Sequence, residues 1–314
     1  MIDMTNGVLL MGYGSPESIG DVGQYLRNIK ALHSRPGASA IPTKEETERL
    51  EMRYGAIGGK SPFNEITERQ ARSLSSHLRH YGIEARVYTG MLHWKPSIAD
   101  AVSRMERDGI SEITAIPMAP YYSTMGTEGY RKVLDGCLAG LKAAPAVSFV
   151  KGWNTNKHLI KFWEGAIAAA MQHQDAGGGA HIIFTAHSLP SVTVDHGDPY
   201  KDQFIETCNA IASGLGLKDW SYAFQSASGA GWLGPSIVEE LKAMAGEGKH
   251  KKVVIAPIGF VTENLETLYD IDIECVAGFN STGMSVSRVA LPNDSELLIE
   301  ALASMVKERV TRKG

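Results

Sequence analysis

Short apolar runs alternate along the chain with longer stretches in which apolar side chains recur every three or four positions. The runs are GVLLMG from residue 7, ARVYTGML from 85, ITAIPMAP from 113, HIIFTAH from 181 and KKVVIAPIGF from 251. Each is nearly continuous rather than alternating, as a strand covered on both faces requires. The intervening stretches fit helices: the spacing predicts one over 67–81, stopped by Gly82, and another over 98–108, stopped by Gly109. Strands that alternate with helices in this way predict an α/β protein built on parallel sheets with helices on both faces.

The only glycine-rich low-complexity segment, DAGGGA, lies at 175–180, just before a fresh strand. It suggests an N-terminal domain over 1–174 and a C-terminal domain over 175–314, and leaves open whether the last helix packs back on the first domain. Across this boundary ITAIPMAPYYSTMGTEGY and VVIAPIGFVTENLETLYD share a strand, a proline, an apolar pair, an aromatic residue and then a helix. The echo reads either as two similar α/β halves with a cleft between them or as the sameness of all buried parallel strands. In the first case ligands are expected at the carboxyl ends of the strands.

The bulk numbers narrow the function. A chain of 314 residues, 43% hydrophobic and 21% charged, can bury a sizeable core. Its 31 basic and 35 acidic residues leave a net charge of −4, so no nucleic-acid partner is expected. The start, MIDMTNGVLLMGYGSP, is acidic where a secretory signal is basic, and VLLM is too short for a signal core. No run approaches the roughly 18 apolar residues of a membrane span. The expectation is a cytoplasmic protein without a transmembrane segment, with peripheral membrane contact left open. Cys137, Cys208 and Cys275 stand singly without CxxC spacing and read as structural, with no zinc site, iron–sulfur cluster or disulfide framework.

Four places carry candidate chemistry. HIIFTAHSLP ends a strand on His187, whose imidazole can exchange a proton near neutrality; it reads as a general base or metal ligand, or as a satisfied structural histidine. After IAPIGF, Glu266, Asp270 and Glu274 recur every four residues. On an α-helix they form one line with about 6 Å of rise per step. Like charges so stacked repel, yet a row of oxygen donors suits a divalent cation. A solvated acidic face is the alternative, weakened because no lysine or arginine lies between Val253 and Phe279. In MGYGSPES, Tyr13 stands between two glycines that permit a tight turn and close ligand approach. In RYGAIGGKSPF, Arg53, Tyr54 and Ser61 suit a ligand carboxylate, or form a plain surface turn.

Taken together, MGYGSP, RYGAIGGKSP, APYYSTMGTEGY, TAHSLP, GDPYKDQ, FQSASGAGWLGP and GFVTENLETLYDIDIEC make the chain resemble the ferrochelatase family over almost its whole length. Single motifs are weak, but seven in order are specific. The resemblance implies two Rossmann-like domains that hold a porphyrin between them and an enzyme that inserts ferrous iron into it. It implies that His187 and Glu266 face the porphyrin and handle the metal and the pyrrole protons, and that Asp270 and Glu274 continue a row leading metal inward. It also implies porphyrin contacts at Tyr13, Lys30, Arg53, Tyr54, Ser61 and Tyr130. Tyr13 matches the tyrosine under the iron in the branch that uses coproporphyrin III, which favours that substrate over protoporphyrin IX. Lys30 stands after the first helix where that branch often has arginine pairs, so propionate contacts are expected to differ.

No permanently bound cofactor is expected, ferrous iron being a substrate, and no iron–sulfur centre, because MVKERVTRKG at the C-terminus has no cysteine. A monomer is expected. The competing readings are a cobalt chelatase acting on another tetrapyrrole, a non-catalytic haem or porphyrin carrier, and a two-domain periplasmic-type binding module, which the missing signal peptide disfavours.

Overall fold

The protein is seen in a computed structural model that describes residues 5–33, 39, 41–174, 179–227, 229–248 and 250–311. Residues 175–178, where the expected domain boundary falls, and both chain ends lie outside the described residues.

Two four-stranded parallel sheets carry the fold. The first contains β1 (Asn6–Gly12), β2 (Ala85–Met91), β3 (Glu112–Pro117) and β4 (Ala146–Phe149), in the order β2-β1-β3-β4. The second contains β5 (His181–His187), β6 (Trp220–Gln225), β7 (Lys252–Ala256) and β8 (Ser285–Arg288), in the order β6-β5-β7-β8. The two orders are the same, and β3 and β7, which carry the internal echo, hold equivalent places. The echo is therefore a property of two similar halves. All five continuous apolar runs are strands, and the two central strands of each sheet are buried on both faces.

The first half adds α1 (Val22–His33), α2 (Lys44–Ala56), α3 (Phe63–His80), α4 (Ile98–Arg107) and α5 (Thr127–Leu138). Gly82 and Gly109 stop α3 and α4 with φ of +69° and +71°, in the left-handed region that glycine enters without strain. α4 starts on a capping box in which Ser97 and Asp100 satisfy each other's backbone N–H. The second half adds α6 (Lys157–Gln174), α7 (Ser191–Asp195), α8 (Tyr200–Leu215), α9 (Ile237–Glu247), a π-helix (Thr267–Ala277) running into the short α10 (Gly278–Asn280), and α11 (Glu296–Thr311).

The halves share one core layer in addition to an outer cluster of their own. A single apolar cluster joins Val8 and Leu10 of β1, Leu74 and Leu78 of α3, Trp163 of α6, Phe184 of β5, Phe204 of α8 and Leu302 of α11. α11 packs against α3 and α6, while α6 also packs against α8 and β7. Fully burying one such side chain is worth about 1.5–3 kcal/mol, so this shared layer is the main apolar link between the halves. Leu9 and Met11 pack outward on α4 and α5, and Ile183 and Ile255 on α9 and the π-helix.

Candidate active site

In a sheet of order 2-1-3-4 the chain reverses its winding beside the first strand, which leaves a crevice at the carboxyl ends of the first and third strands. Tyr13 follows β1 directly, His187 ends β5, and Glu266 lies in the segment after β7. The candidate residues therefore come from the switch points of both sheets.

His187 is half-buried, and its Nδ1 lies 2.5 Å from the backbone oxygen of Ser188. A carbonyl can only accept, so Nδ1 carries the hydrogen of the neutral ring and Nε2 keeps its lone pair. The strand end is held from both sides. Tyr200 donates its hydroxyl to the His187 oxygen at 2.9 Å, and Ser188 N–H donates to Gln225 at 2.7 Å. The ring centroid of Trp232 stands 6.4 Å from that of His187.

The turn after β7 folds tightly over this strand. Gly259 N–H donates to Thr185 at 3.0 Å, and a Cβ added at Gly259 would lie 2.7 Å from the Cα and Cβ of Ala186. Gly259→Ala is expected to cost about 1–3 kcal/mol, because rigid backbone is what it meets. Urea denaturation would measure this, and unchanged stability would mean that the turn yields freely.

Glu266 enters from this turn. Asn264 and Thr267 bracket it, with Thr267 N–H donating to Asn264 Oδ1 at 3.0 Å and Asn264 N–H to Thr267 Oγ1 at 3.1 Å, a reciprocal cap that starts the helix. The helix itself departs from expectation. Thr267–Ala277 is a π-helix, closing i→i+5 rather than i→i+4 bonds, so the α-helical step between Glu266, Asp270 and Glu274 does not apply. Their burial is graded instead: Glu266 is half-buried, Asp270 buried and Glu274 exposed.

The lack of basic residues near the row in sequence also proves misleading, because the fold supplies them from elsewhere. Arg53 of α2 ion-pairs with Asp270, which also accepts a hydrogen bond from Ser226, and the Arg53 guanidinium lies 5.0 Å from the ring centre of Tyr269. Arg288 holds Asp272 at 2.6 Å and Glu263 at 2.9 Å. Glu274 is a weaker acid than usual, because burial and then the neighbouring Asp270 raise its pKa against the opposing Arg53.

Tyr13, 38% exposed, meets the His93 ring at a centroid distance of 4.3 Å. Desolvation first, then the charge of Glu266, then Tyr130 and Tyr54, push its phenol well above the usual range. That shift places Glu266 and three tyrosines in one electrostatic neighbourhood although the exposed ring edge opens outward. Burial above all raises Tyr54 and Tyr25 as well, with Glu266 a smaller contributor to each. The flanking glycines serve packing rather than ligand approach: a Cβ on Gly12 would lie 2.9 Å from Met91 and Phe63, and one on Gly14, at φ +87°, would lie 2.8 Å from Trp94.

The other expected contacts are occupied within the protein. Tyr54 is buried and hydrogen-bonds Ser15 Oγ at 3.0 Å, with Leu265 and Val22 packed in the same cluster. Buried Ser61 accepts from Phe63 N–H at 3.2 Å and steadies the start of α3. Tyr130 is buried in the layer under α4 and α5. Lys30 lies inside α1 rather than after it, and binds both carboxylate oxygens of Glu46 at 2.7 and 2.9 Å. Of the residues expected to contact a ligand from the first half, Tyr13 alone is exposed. Trp232, Ser226, Gln225 and Tyr25 belong to the site's surroundings but were given no role from sequence; FQSASGAGWLGP holds three of them.

A cavity of about 920 Å³ lies between α3, the segment before α6, and α11, lined by His77, Trp153, Asn156, Glu300 and Arg309. It contains none of the residues above. The chemistry favours the strand ends, where His187 closes β5 and where Tyr13 lies within the field of Glu266. No described helix is long and apolar enough to cross a membrane.

Proton acceptors and oxygen donors, set at the mouths of two doubly wound sheets, can deprotonate a flat ligand and receive a cation, which is the work of a chelatase. The class is confirmed by comparison with known proteins, and the chain belongs to the ferrochelatase family, whose profile matches residues 5–310. It is 36% identical to the coproporphyrin III ferrochelatase of Geobacillus kaustophilus over 100% of this chain and 99% of that one. It is 34% identical to the coproporphyrin III ferrochelatase of Bacillus subtilis and 35% to the ferrochelatase of Deinococcus radiodurans, each over 98% of both chains. Among solved structures, SirB from Bacillus subtilis with Fe3+ shares the fold, with a TM-score of 0.60 at 12% identity over 97% of this chain and 95% of that one. The protein is thus an enzyme of haem biosynthesis that inserts iron into a porphyrin.

Proposed function

We propose that the porphyrin is coproporphyrin III and that His187 and Glu266 carry the insertion. The observation that carries the substrate reading is Tyr13, exposed and within the field of Glu266, at the place where the coproporphyrin-using branch keeps a tyrosine. The names of the relatives from Geobacillus and Bacillus support it.

Insertion exchanges two pyrrole protons for one dication. His187 Nε2, left bare by the Nδ1–H bond to Ser188, accepts one proton. Glu266 accepts the other and offers an oxygen to the incoming iron. Burial first, and the charge of Glu266 in addition, raise the pKa of the surrounding phenols, and an arriving cation would oppose the Glu266 field and favour proton loss at the site. Glu274, exposed at the outer end of the row, stands as the first oxygen donor. Asp270 acts differently, since it would have to release Arg53 to bind a cation. A macrocycle held puckered would expose its nitrogen lone pairs, with binding energy supplying the distortion.

Anaerobic assays with ferrous iron and either coproporphyrin III or protoporphyrin IX, followed by absorbance, test the substrate. A higher kcat/KM for coproporphyrin is expected, and preference for protoporphyrin would overturn the reading. Glu266→Gln is expected to lower the limiting rate at every iron concentration, whereas Glu274→Gln raises the iron concentration for half-maximal rate and leaves the porphyrin dependence unmoved. A collapsed limiting rate with normal iron dependence in Glu274→Gln would remove it from the metal path. Tyr13→Phe is expected to preserve insertion but to change the spectrum of the bound product once air has oxidised it to the ferric state, because a phenolate ligand would be lost.

A further inference from the structure

At the opposite edge of the second sheet, three side chains that the insertion chemistry does not use come together. His181 opens β5, Asp219 immediately precedes β6, and His250 lies two residues before β7. These are the amino ends of the central strand and its two neighbours, so the topology itself assembles them. His181 is six residues from His187, which along a strand is about 20 Å from the cleft.

The geometry is that of a ligand set. His181 Nδ1 lies 2.8 Å from Asp219 Oδ1, and His250 Nδ1 lies 3.4 Å from Asp219 Oδ2. One donor atom from each residue falls within 4.8 Å of the others, and the imidazole centroids are 4.5 Å apart. Nitrogen and oxygen ligands about 2.0–2.1 Å from a tetrahedral cation stand about 3.4 Å from each other, so only small movements would close the set on an ion. The His181 and His250 side chains are only 6% and 12% exposed, while Asp219 is 60% exposed and leaves a side open to solvent.

A second contact prepares His181 for this role. Its Nε2 lies 2.9 Å from Ser221 Oγ. With Nδ1 on a cation, the ring proton sits on Nε2 and donates to that hydroxyl, the outer-shell hydrogen bond that orients metal-binding imidazoles. The change from an Nδ1–H ring bonded to Asp219 to an Nε2–H ring bonded to Ser221 moves one proton between ring nitrogens and releases none.

We propose that His181, Asp219 and His250 form a second cation site, remote from the insertion cleft, that binds a borderline divalent transition metal such as zinc, cobalt or ferrous iron. Two imidazoles with one carboxylate suit these metals and not magnesium or calcium, which prefer all-oxygen shells.

The test uses cobalt(II) as probe with the full chain, by equilibrium dialysis and visible d–d absorption, comparing wild type with His250→Ala and Asp219→Asn. The wild type is expected to hold one more cobalt ion per chain than either variant, with a tetrahedral-type band that the variants lack and an affinity at least about 100-fold higher at that site. Both variants should insert iron into porphyrin at the wild-type rate, which separates this site from the cleft and reports correct folding. Asp219→Asn is the safer variant, because an exposed carboxylate is replaced by its isostere. Equal cobalt stoichiometry and spectrum in all three proteins would overturn the proposal, as would a wild type that retains no cobalt in tetrahedral nitrogen and oxygen coordination.

Discussion

His187→Ala is expected to lower the limiting rate of iron insertion by roughly 10²–10⁴-fold, the range that a positioned general base supplies. Porphyrin binding should change little, because the apolar walls of the cleft do not depend on this ring. The size of the effect follows from how firmly the imidazole is set: Nδ1–H is engaged by Ser188, and the strand end is held by Tyr200 and by the Ser188–Gln225 bond. Water entering the vacated space is neither as basic nor as fixed. Anaerobic initial rates with a parallel porphyrin fluorescence titration would measure both quantities. Near wild-type turnover would take His187 out of the mechanism, and lost porphyrin binding would make it a structural residue.

Asp270→Asn is expected to act chiefly on stability. The Asp270 and Arg53 side chains are 10% and 23% exposed, so their pair is largely desolvated, and removing one partner leaves the other charge stranded. Breaking a buried pair costs about 3–5 kcal/mol, and about 2–3 kcal/mol is expected once the partial exposure of Arg53 is allowed for. Asparagine can still accept from Ser226, so the loss isolates the ionic contribution. Urea unfolding would read it, and Arg53→Met combined with Asp270→Asn should cost less than the sum of the two singles. Unchanged stability, accompanied by a large rise in the iron needed for half-maximal rate, would return Asp270 to the role that the four-residue spacing alone suggested.

The parts of the fold that sequence revealed are those whose burial is uniform. The continuous apolar runs became β1, β3, β5 and β7, because the central strands of a parallel sheet must be apolar on both faces, and β2, an edge strand whose last four residues are buried. The other three edge strands, β4, β6 and β8, went unread: AVSF and SVSR are short and only partly buried, and WSYAFQ is buried only in its last three residues. Missing β6 also hid Gln225 and Ser226, which sit at its carboxyl end beside His187. Local charge patterns failed for a different reason. The acidic segment looked unbalanced because Arg53 and Arg288 reach it from distant positions in sequence, and only the fold brings opposite charges together. The π-helix was equally invisible, since a repeat of four suits the ordinary helix as well.

The layer of apolar side chains common to both halves bears on how a rigid ring is bent. Parting the halves about a hinge would draw Trp163, Phe184 and Leu302 away from their neighbours, and losing even two such burials costs about 3–6 kcal/mol. The shared layer therefore resists any change in the spacing of the two sets of strand ends, and a ligand that does not fit between them would have to be deformed at the expense of its own binding energy.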